Sequence, residues 1–387
     1  MRVALFSGNY NYLREGANQA LNRLAGYLMR NGHDVRAYSP VTDTPAFEPQ
    51  GELVAVPSIP FPMRGEFRLA LGLPHQIREN VRQFAPDMFH VSVPDILGTR
   101  AQSFAKQLGV PVVTSLHTRF ETYFSYYGLN ILRPPAEAHL RRFYRRSDHV
   151  LAPTPAIVDE MRQLRGDDRV SLWSRGVDRE LFDPQRRDQG WRRAQGIGDD
   201  EVAVLFFGRL VLEKGIDDFV GTILALRERG LKVRPLVVGQ GPARDRFDVL
   251  EDAVIAGHLE GPQLARAVAS ADILLHPSRT EAFGNVVLEA MASGLAVVCA
   301  EAESARALAG QSRAIVICGR DEFADEAEKL CRNPERRQAL GILARQESAR
   351  FDWDEASSSV LAAYRAVIAE KALAGRPVPA IGSSAPA

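Results

Sequence analysis

The sequence predicts two doubly wound α/β domains that face each other across a cleft. Three observations carry that prediction. The chain has 387 residues, more than one ordinary hydrophobic core holds and a comfortable length for two. Short β-branched apolar runs alternate with helical patterns, the signature of a parallel sheet covered on both faces. The alternation stops and then begins again. Residues 175–198 are rich in Gly, Pro, Asp and Arg, show little apolar periodicity, and separate the halves.

In the first half, strands are expected at 3–6, 34–38, 88–91, 112–115 and 149–152, with helices at 18–31, 98–108 and 136–146. In the second, strands are expected at 202–207, 234–238, 253–256, 273–276, 296–299 and 314–317, with helices at 216–229, 262–270, 285–293 and 321–332. A last helical pattern covers 353–370, and the Ala-, Pro-, Gly- and Ser-rich tail 371–387 is expected to be disordered. The implied units are 1–175, 176–350 and a final helical segment 351–370. Ligands of open α/β sheets bind at the carboxyl ends of the strands. The cleft between two such edges is therefore the expected active site.

Lys+Arg and Asp+Glu both number 48, so a global basic surface for nucleic acid is not indicated. Basic residues do gather between Arg119 and Arg146. Arg141, Arg142, Arg145 and Arg146 share one side of a helix, with Phe143 and Tyr144 among them. Such a face suits an anionic membrane surface; a solvated basic face is the alternative. The cysteines, Cys299, Cys318 and Cys331, form neither a disulfide framework nor a CxxC pattern. No apolar run approaches the ~20 residues of a membrane span. The N-terminal residues read as a buried strand rather than a signal peptide, and a cytoplasmic location is expected.

The most informative segment is 277–294, a loop after a strand followed by a short helix. Asn285 is the expected N-cap and Gly294 the expected C′ residue. Phe283, Gly284 and Asn285 then lie where free N–H groups and the helix dipole favour a phosphate. Gly284 lets that backbone come close. Glu281 precedes this anion site and Glu289 lies one turn inside the helix. Carboxylates so placed suit hydroxyls: a sugar hydroxyl for Glu281 and a ribose diol for Glu289. A helix-start charge and a surface carboxylate remain the plainer alternatives.

A second segment opens from strand 202–207 into Gly208, Arg209 and Lys214. Two cations at a strand's carboxyl end can clamp a diphosphate and stabilise it as it leaves; a solvated loop is the alternative. A third, with Gly239 and Gly241 before Pro242, permits close backbone approach to a flat ligand. It lacks the third glycine of the dinucleotide fingerprint, where Arg244 stands, which disfavours a nicotinamide oxidoreductase. In the first half, Gly16 precedes a helix and can admit a phosphate or sugar. His117 lies just past a strand end, in a structural or a functional role.

Together these pieces resemble the retaining family 4 glycosyltransferases of GT-B fold, over nearly the whole chain. The resemblance rests on Glu281…Glu289 with Phe283 and Gly284 between them, on Gly208-Arg209…Lys214-Gly215, and on Arg175-Gly176-Val177-Asp178…Phe182. It implies that Arg209 and Lys214 hold the donor diphosphate and Glu289 the ribose. Glu281 and the following backbone would hold the transferred sugar, His117 would line its pocket, and Gly16 would approach the donor phosphate. The helix near Phe351 resembles the one that crosses back to the first domain. Segments 115–128 and 172–178 are similar to the sulfoquinovosyl-diacylglycerol synthase and lipid mannosyl- or glucuronosyltransferase branch. That implies transfer of a hexose or uronic acid from a UDP- or GDP-sugar to a lipid such as diacylglycerol or a sphingolipid. It implies retention of configuration and no metal or other cofactor. The family commonly has two glycines where this chain has Glu15-Gly16. A polysaccharide or small-molecule acceptor, and nucleotide-sugar epimerisation, are the alternatives. No nucleophile or general base is assigned.

Overall fold

The structure is a computed structural model that describes residues 1–61, 64–117, 131 and 133–374. The first domain contains β1 (Arg2–Phe6), β2 (Asp34–Ser39), β3 (Glu52–Ala55), β4 (Ser58–Phe61), β5 (Arg64–Ala70), β6 (Met88–Val91), β7 (Val112–Ser115), β8 (His149–Ala152) and β9 (Val170–Leu172). Seven of these form one parallel sheet in the order β3-β2-β1-β6-β7-β8-β9; β4 and β5 form a separate antiparallel hairpin. Its helices are α1 (Gly16–Arg30), α2 (His75–Phe84), α3 (Ile96–Leu108), α4 (Arg133–Arg145) and α5 (Pro155–Arg165).

The second domain contains β10 (Val202–Phe207), β11 (Val233–Val238), β12 (Val254–Gly257), β13 (Ile273–His276), β14 (Ala296–Ala300) and β15 (Ile315–Cys318), all parallel in the order β12-β11-β10-β13-β14-β15. Its helices are α6 (Gln189–Ala194), α7 (Ile216–Glu228), α8 (Gly261–Ala269), α9 (Asn285–Ala292), α10 (Glu303–Ala309), α11 (Phe323–Arg332) and α12 (Pro334–Ser348). A final helix, α13 (Trp353–Ala374), follows. Each sheet carries an apolar cluster on both faces, as continuous Val/Ile/Leu runs require.

The predicted strands are all present. Those absent from the prediction leave weak patterns. The β4 strand contains Pro60, and β3 has no fully buried residue. Helix α12 buries Gly341, Ala344 and Ser348, small residues that print no apolar stripe. Helix α13 continues through Lys371 to Ala374, into the segment expected to be disordered. Residues 375–387 of that tail lie outside the described residues.

Helix α13 belongs to the first domain by packing. Its Ala356, Val360, Leu361, Tyr364 and Val367 join Val3, Leu5, Leu21 and Leu24 in one core. The spacing of those five residues is the helical stripe that burial demands. The two interdomain crossings meet: Val177 N donates to Phe351 O at 3.1 Å. A Cβ on Gly176 would lie 2.3 Å from Trp353 N, so only glycine fits beside the second crossing.

In each sheet the strand order reverses once, between β1 and β6 and between β10 and β13. Loops leaving adjacent strands in opposite directions open a crevice there. Of the motifs singled out in the sequence, the loop with Arg209 and Lys214 and the segment 277–294 follow β10 and β13, and Gly16 follows β1, while Gly239 with Gly241 and His117 follow the neighbouring strands β11 and β7.

Candidate active site

The loops after β10 and β13 are fastened to each other. Gly215 has φ 74° and lies so close to Pro277 that a Cβ would stand 2.9 Å from the Pro277 carbonyl oxygen. Ser278 Oγ donates to Glu213 O at 3.2 Å. This contact brings Lys214 to Glu281, and the two form an ion pair with side chains under a fifth exposed. His276, at the end of β13, places Nε2 3.5 Å from Glu281 Oε1. Burial alone would raise the Glu281 carboxyl; Lys214 and His276 overcome it and hold it well below the usual range. Two residues assigned to different parts of a ligand are thus one charge-neutral unit.

Arg209 reaches across the cleft to Glu15, 3.1 Å away. Arg14 does the same to Glu260 at 2.8 Å. Glu15 is also the N-cap of α1, in a reciprocal pair with Asn18. Gly16, next in line, faces Asn285 of the other domain; a Cβ there would stand 2.3 Å from Asn285 Nδ2. The glycine expected to admit a ligand admits a side chain from across the cleft.

The N-cap of α9 is Gly284, not Asn285. Gly284 adopts φ 97°, a left-handed conformation, and Asn285 is the first helical residue. That shift frees the Asn285 side chain from capping, and its Oδ1 is buried with no hydrogen-bond partner among the described residues. Gly294 does follow the helix end, with φ 75°. Phe283 is a core residue: its ring packs edge-on to Phe351 at 5.9 Å, leaving only its backbone toward the helix start. Glu289 is half-buried in the same helix, and its side chain makes no hydrogen bond or ion pair with another described residue. Burial pushes its carboxyl up to about 8.

Gly239 and Gly241 have a structural explanation that the sequence did not suggest. A Cβ on Gly239 would lie 1.8 Å from Gly208 O, and one on Gly241 2.4 Å from Leu210 O. Backbone packs on backbone here, and Leu210 N donates to Gln240 O at 2.9 Å. Both glycines let the Arg209 loop pack backbone to backbone.

In the first domain His117 follows β7, and both ring nitrogens are engaged. Nε2 is 2.8 Å from Ser115 Oγ and Nδ1 is 3.0 Å from Arg175 Nη2. Burial, then the Arg175 charge and His90, keep the ring well below its ordinary range, hence neutral. Asp95, which sequence reasoning missed, caps α3 at the β1/β6 reversal and lies beside Gly8. Burial pushes it up to about 6. A Pro-Asp pair between a strand and an apolar run was its available signal. His276 and Glu15 were also missed, although His276 has the strand-end position that singled out His117.

The four arginines around α4 are exposed. Arg145 donates to Leu164 O and Arg146 to Ser103 Oγ; Arg141 and Arg142 have no side-chain partner among the described residues. Phe143 and Tyr144 point into the core, 2% and 3% exposed. They anchor the helix and offer nothing to a membrane. Arg119, at the other end of the basic segment, and most of 115–128 lie outside the described residues. No helix among the described residues is long and apolar enough to cross a membrane.

Comparison with known proteins shows the family and the fold. The pattern defining Glycosyltransferase Family 4 matches residues 14–181, and that of Glycosyl transferases group 1 matches 201–333. A GDP-mannose-dependent alpha-mannosyltransferase of Mycolicibacterium smegmatis is 32% identical over 383 residues, 96% of this chain and 99% of the relative. The chain belongs to the family 4 glycosyltransferases. This glycosyltransferase is also 29% identical to sulfoquinovosyl transferase SQD2 of Arabidopsis thaliana, across 93% of its length and 72% of the relative's. Among solved structures, sucrose-phosphate synthase from Thermosynechococcus elongatus superposes with a TM-score of 0.77 at 17% identity, covering 95% and 99% of the chains. The enzyme therefore has the GT-B fold.

Proposed function

We propose that the enzyme transfers a hexose or uronic acid from a UDP- or GDP-sugar to a lipid acceptor, with retention and without a metal. One observation carries the donor site. At the β10/β13 reversal the loop carrying Arg209 and Lys214 packs against the loop that leads into α9, whose Glu289 side chain has no partner among the described residues. An anionic diphosphate at a helix start with a diol beyond it has the complementary pattern. Glu289 would accept from both ribose hydroxyls. Glu281, fixed by Lys214 and His276, would accept from a hydroxyl of the transferred sugar.

In the step proposed, the bond from the anomeric carbon to the diphosphate oxygen breaks, and its electron pair stays on that oxygen. Arg209, Lys214 and the helix dipole stabilise the charge that develops. The acceptor hydroxyl forms its bond on the same face and gives its proton to the departing phosphate oxygen. Positive charge from these residues does the work that a metal would otherwise do.

The lipid acceptor rests on the similarity to the lipid-glycosylating branch and on the arginine face of α4, which suits peripheral docking on anionic lipid. The test is incubation with radiolabelled UDP- and GDP-sugars and diacylglycerol in mixed micelles. Labelled lipid with the donor's anomeric configuration supports the proposal. Transfer only to water-soluble acceptors, or isomerised donor without transfer, overturns it.

A further inference from the structure

A chain of hydrogen bonds runs through the first domain behind the cleft. It passes from Arg175 to His117, Ser115, His90 and Tyr364. Arg175 Nη2 is 3.0 Å from His117 Nδ1, Ser115 Oγ is 2.8 Å from His117 Nε2, and His90 Nε2 is 2.7 Å from Ser115 Oγ. His90 Nδ1 meets the Tyr364 hydroxyl. His90, Ser115, Arg175 and Tyr364 are all buried.

The proton positions follow from the donor inventory. A guanidinium only donates, so His117 Nδ1 must accept. A neutral His117 then carries its proton on Nε2 and donates to Ser115 Oγ. The single serine hydrogen then finds its acceptor in the chain at His90 Nε2. His90 in turn carries its proton on Nδ1 and donates to the Tyr364 oxygen. Reversing the whole order would require the guanidinium to accept, and reversing His90 alone would leave the serine hydrogen without an acceptor in the chain. Burial holds His90 far down, to about 3, so neither ring takes a second proton to break the pattern.

The chain is also fixed in space. Arg175 has no carboxylate partner among the described residues; it donates to the carbonyls of Trp173 and Ser174 and lies over the Trp173 ring at 4.8 Å. The Trp173 ring stands edge-on to His90 at 5.7 Å and to His117 at 5.3 Å.

We propose that this chain holds His117 at the cleft in one orientation: Arg175 fixes its Nε2–H tautomer, and Ser115, backed by His90 and Tyr364, acts with them as a set of positioning residues for the ring. Tyr364 lies on α13, the helix that follows the crossing from the second domain. The site therefore senses whether α13 is docked. The effect on turnover rests on the function proposed above; the tautomer assignment does not.

The test begins with 15N-histidine-labelled enzyme and long-range 1H–15N spectra, assigned with His90→Asn and His117→Asn. The expected result is opposite tautomers in adjacent rings: Nδ1–H for His90 and Nε2–H for His117. A His117 protonated on Nδ1, or on both nitrogens, overturns the proposal whether or not the enzyme transfers sugar. Tyr364→Phe should shift the His117 Nε2 signal and lower kcat by about tenfold with donor KM within twofold, as expected when a site group is loosened. A variant that only melts earlier, with unchanged His117 signals and kcat, refutes the positioning role.

Discussion

Glu289 makes the donor site pH-sensitive in a calculable way. Burial pushes its carboxyl up to about 8. A carboxylate that accepts from two ribose hydroxyls must be ionised. With a pKa near 8, about a tenth of Glu289 is ionised at pH 7 and about nine tenths at pH 9. Nucleoside diphosphate affinity should therefore rise about tenfold across that interval, roughly 1.4 kcal/mol. The ligand contributes little to this slope, because its terminal phosphate titrates near pH 6. Isothermal titration with UDP and GDP at several pH values measures it, with Glu289→Gln as the control. Wild-type affinity that is flat over this range, or a variant with the same slope, refutes the ribose role. The linkage sign gives a second check on the empty enzyme. The folded state holds the Glu289 proton between about 4.5 and 8 while the unfolded state has lost it. Its contribution to stability therefore falls as pH rises through that window and is level above it.

Loop position alone suggests that removing either clamp cation spares folding; the structure separates the two. Arg209→Ala and Lys214→Ala should both lower turnover by about 10²-fold, but only Lys214→Ala strands a buried carboxylate and should lose about 3 kcal/mol or more in denaturant titrations. Equal stability of the two variants would refute the buried pair. Glu15→Gln frees Arg209 from a half-exposed ion pair worth up to about 1 kcal/mol, so UDP or GDP should bind up to about fivefold tighter; weaker binding in a calorimetric titration would place Glu15 among the ligand contacts instead. Arg141→Ala with Arg142→Ala should reduce salt-sensitive flotation with phosphatidylglycerol vesicles, at about 1 kcal/mol per residue. Wild-type enzyme that fails to float at low salt removes the membrane proposal.

The fold was legible because parallel strands buried on both faces must be apolar throughout. Runs such as Val202–Phe207 and Ile273–His276 announce themselves. Polar edge segments such as β3, and helices that pack through small residues such as α12, do not. In the site, the loop motifs stood out because helix starts and strand ends are where charge has a use. What sequence could not give was their mutual contact. That Lys214 neutralises Glu281 depends on a Gly215–Pro277 approach between distant segments. That Gly239 packs on Gly208 depends on two loops stacking. The N-cap was misplaced by one residue because a left-handed Gly284 removes the need for the Asn285 side chain, which propensity alone favours as a cap.

The paired crossings at Gly176 and Trp353 have a mechanical consequence. Two domains joined by one strand can swivel about it, and opening and twisting are then equally easy. Here the chain passes between the domains twice through nearly one point, with Val177 bonded to Phe351. A second crossing bonded to the first restrains a swivel that a single linker would leave free.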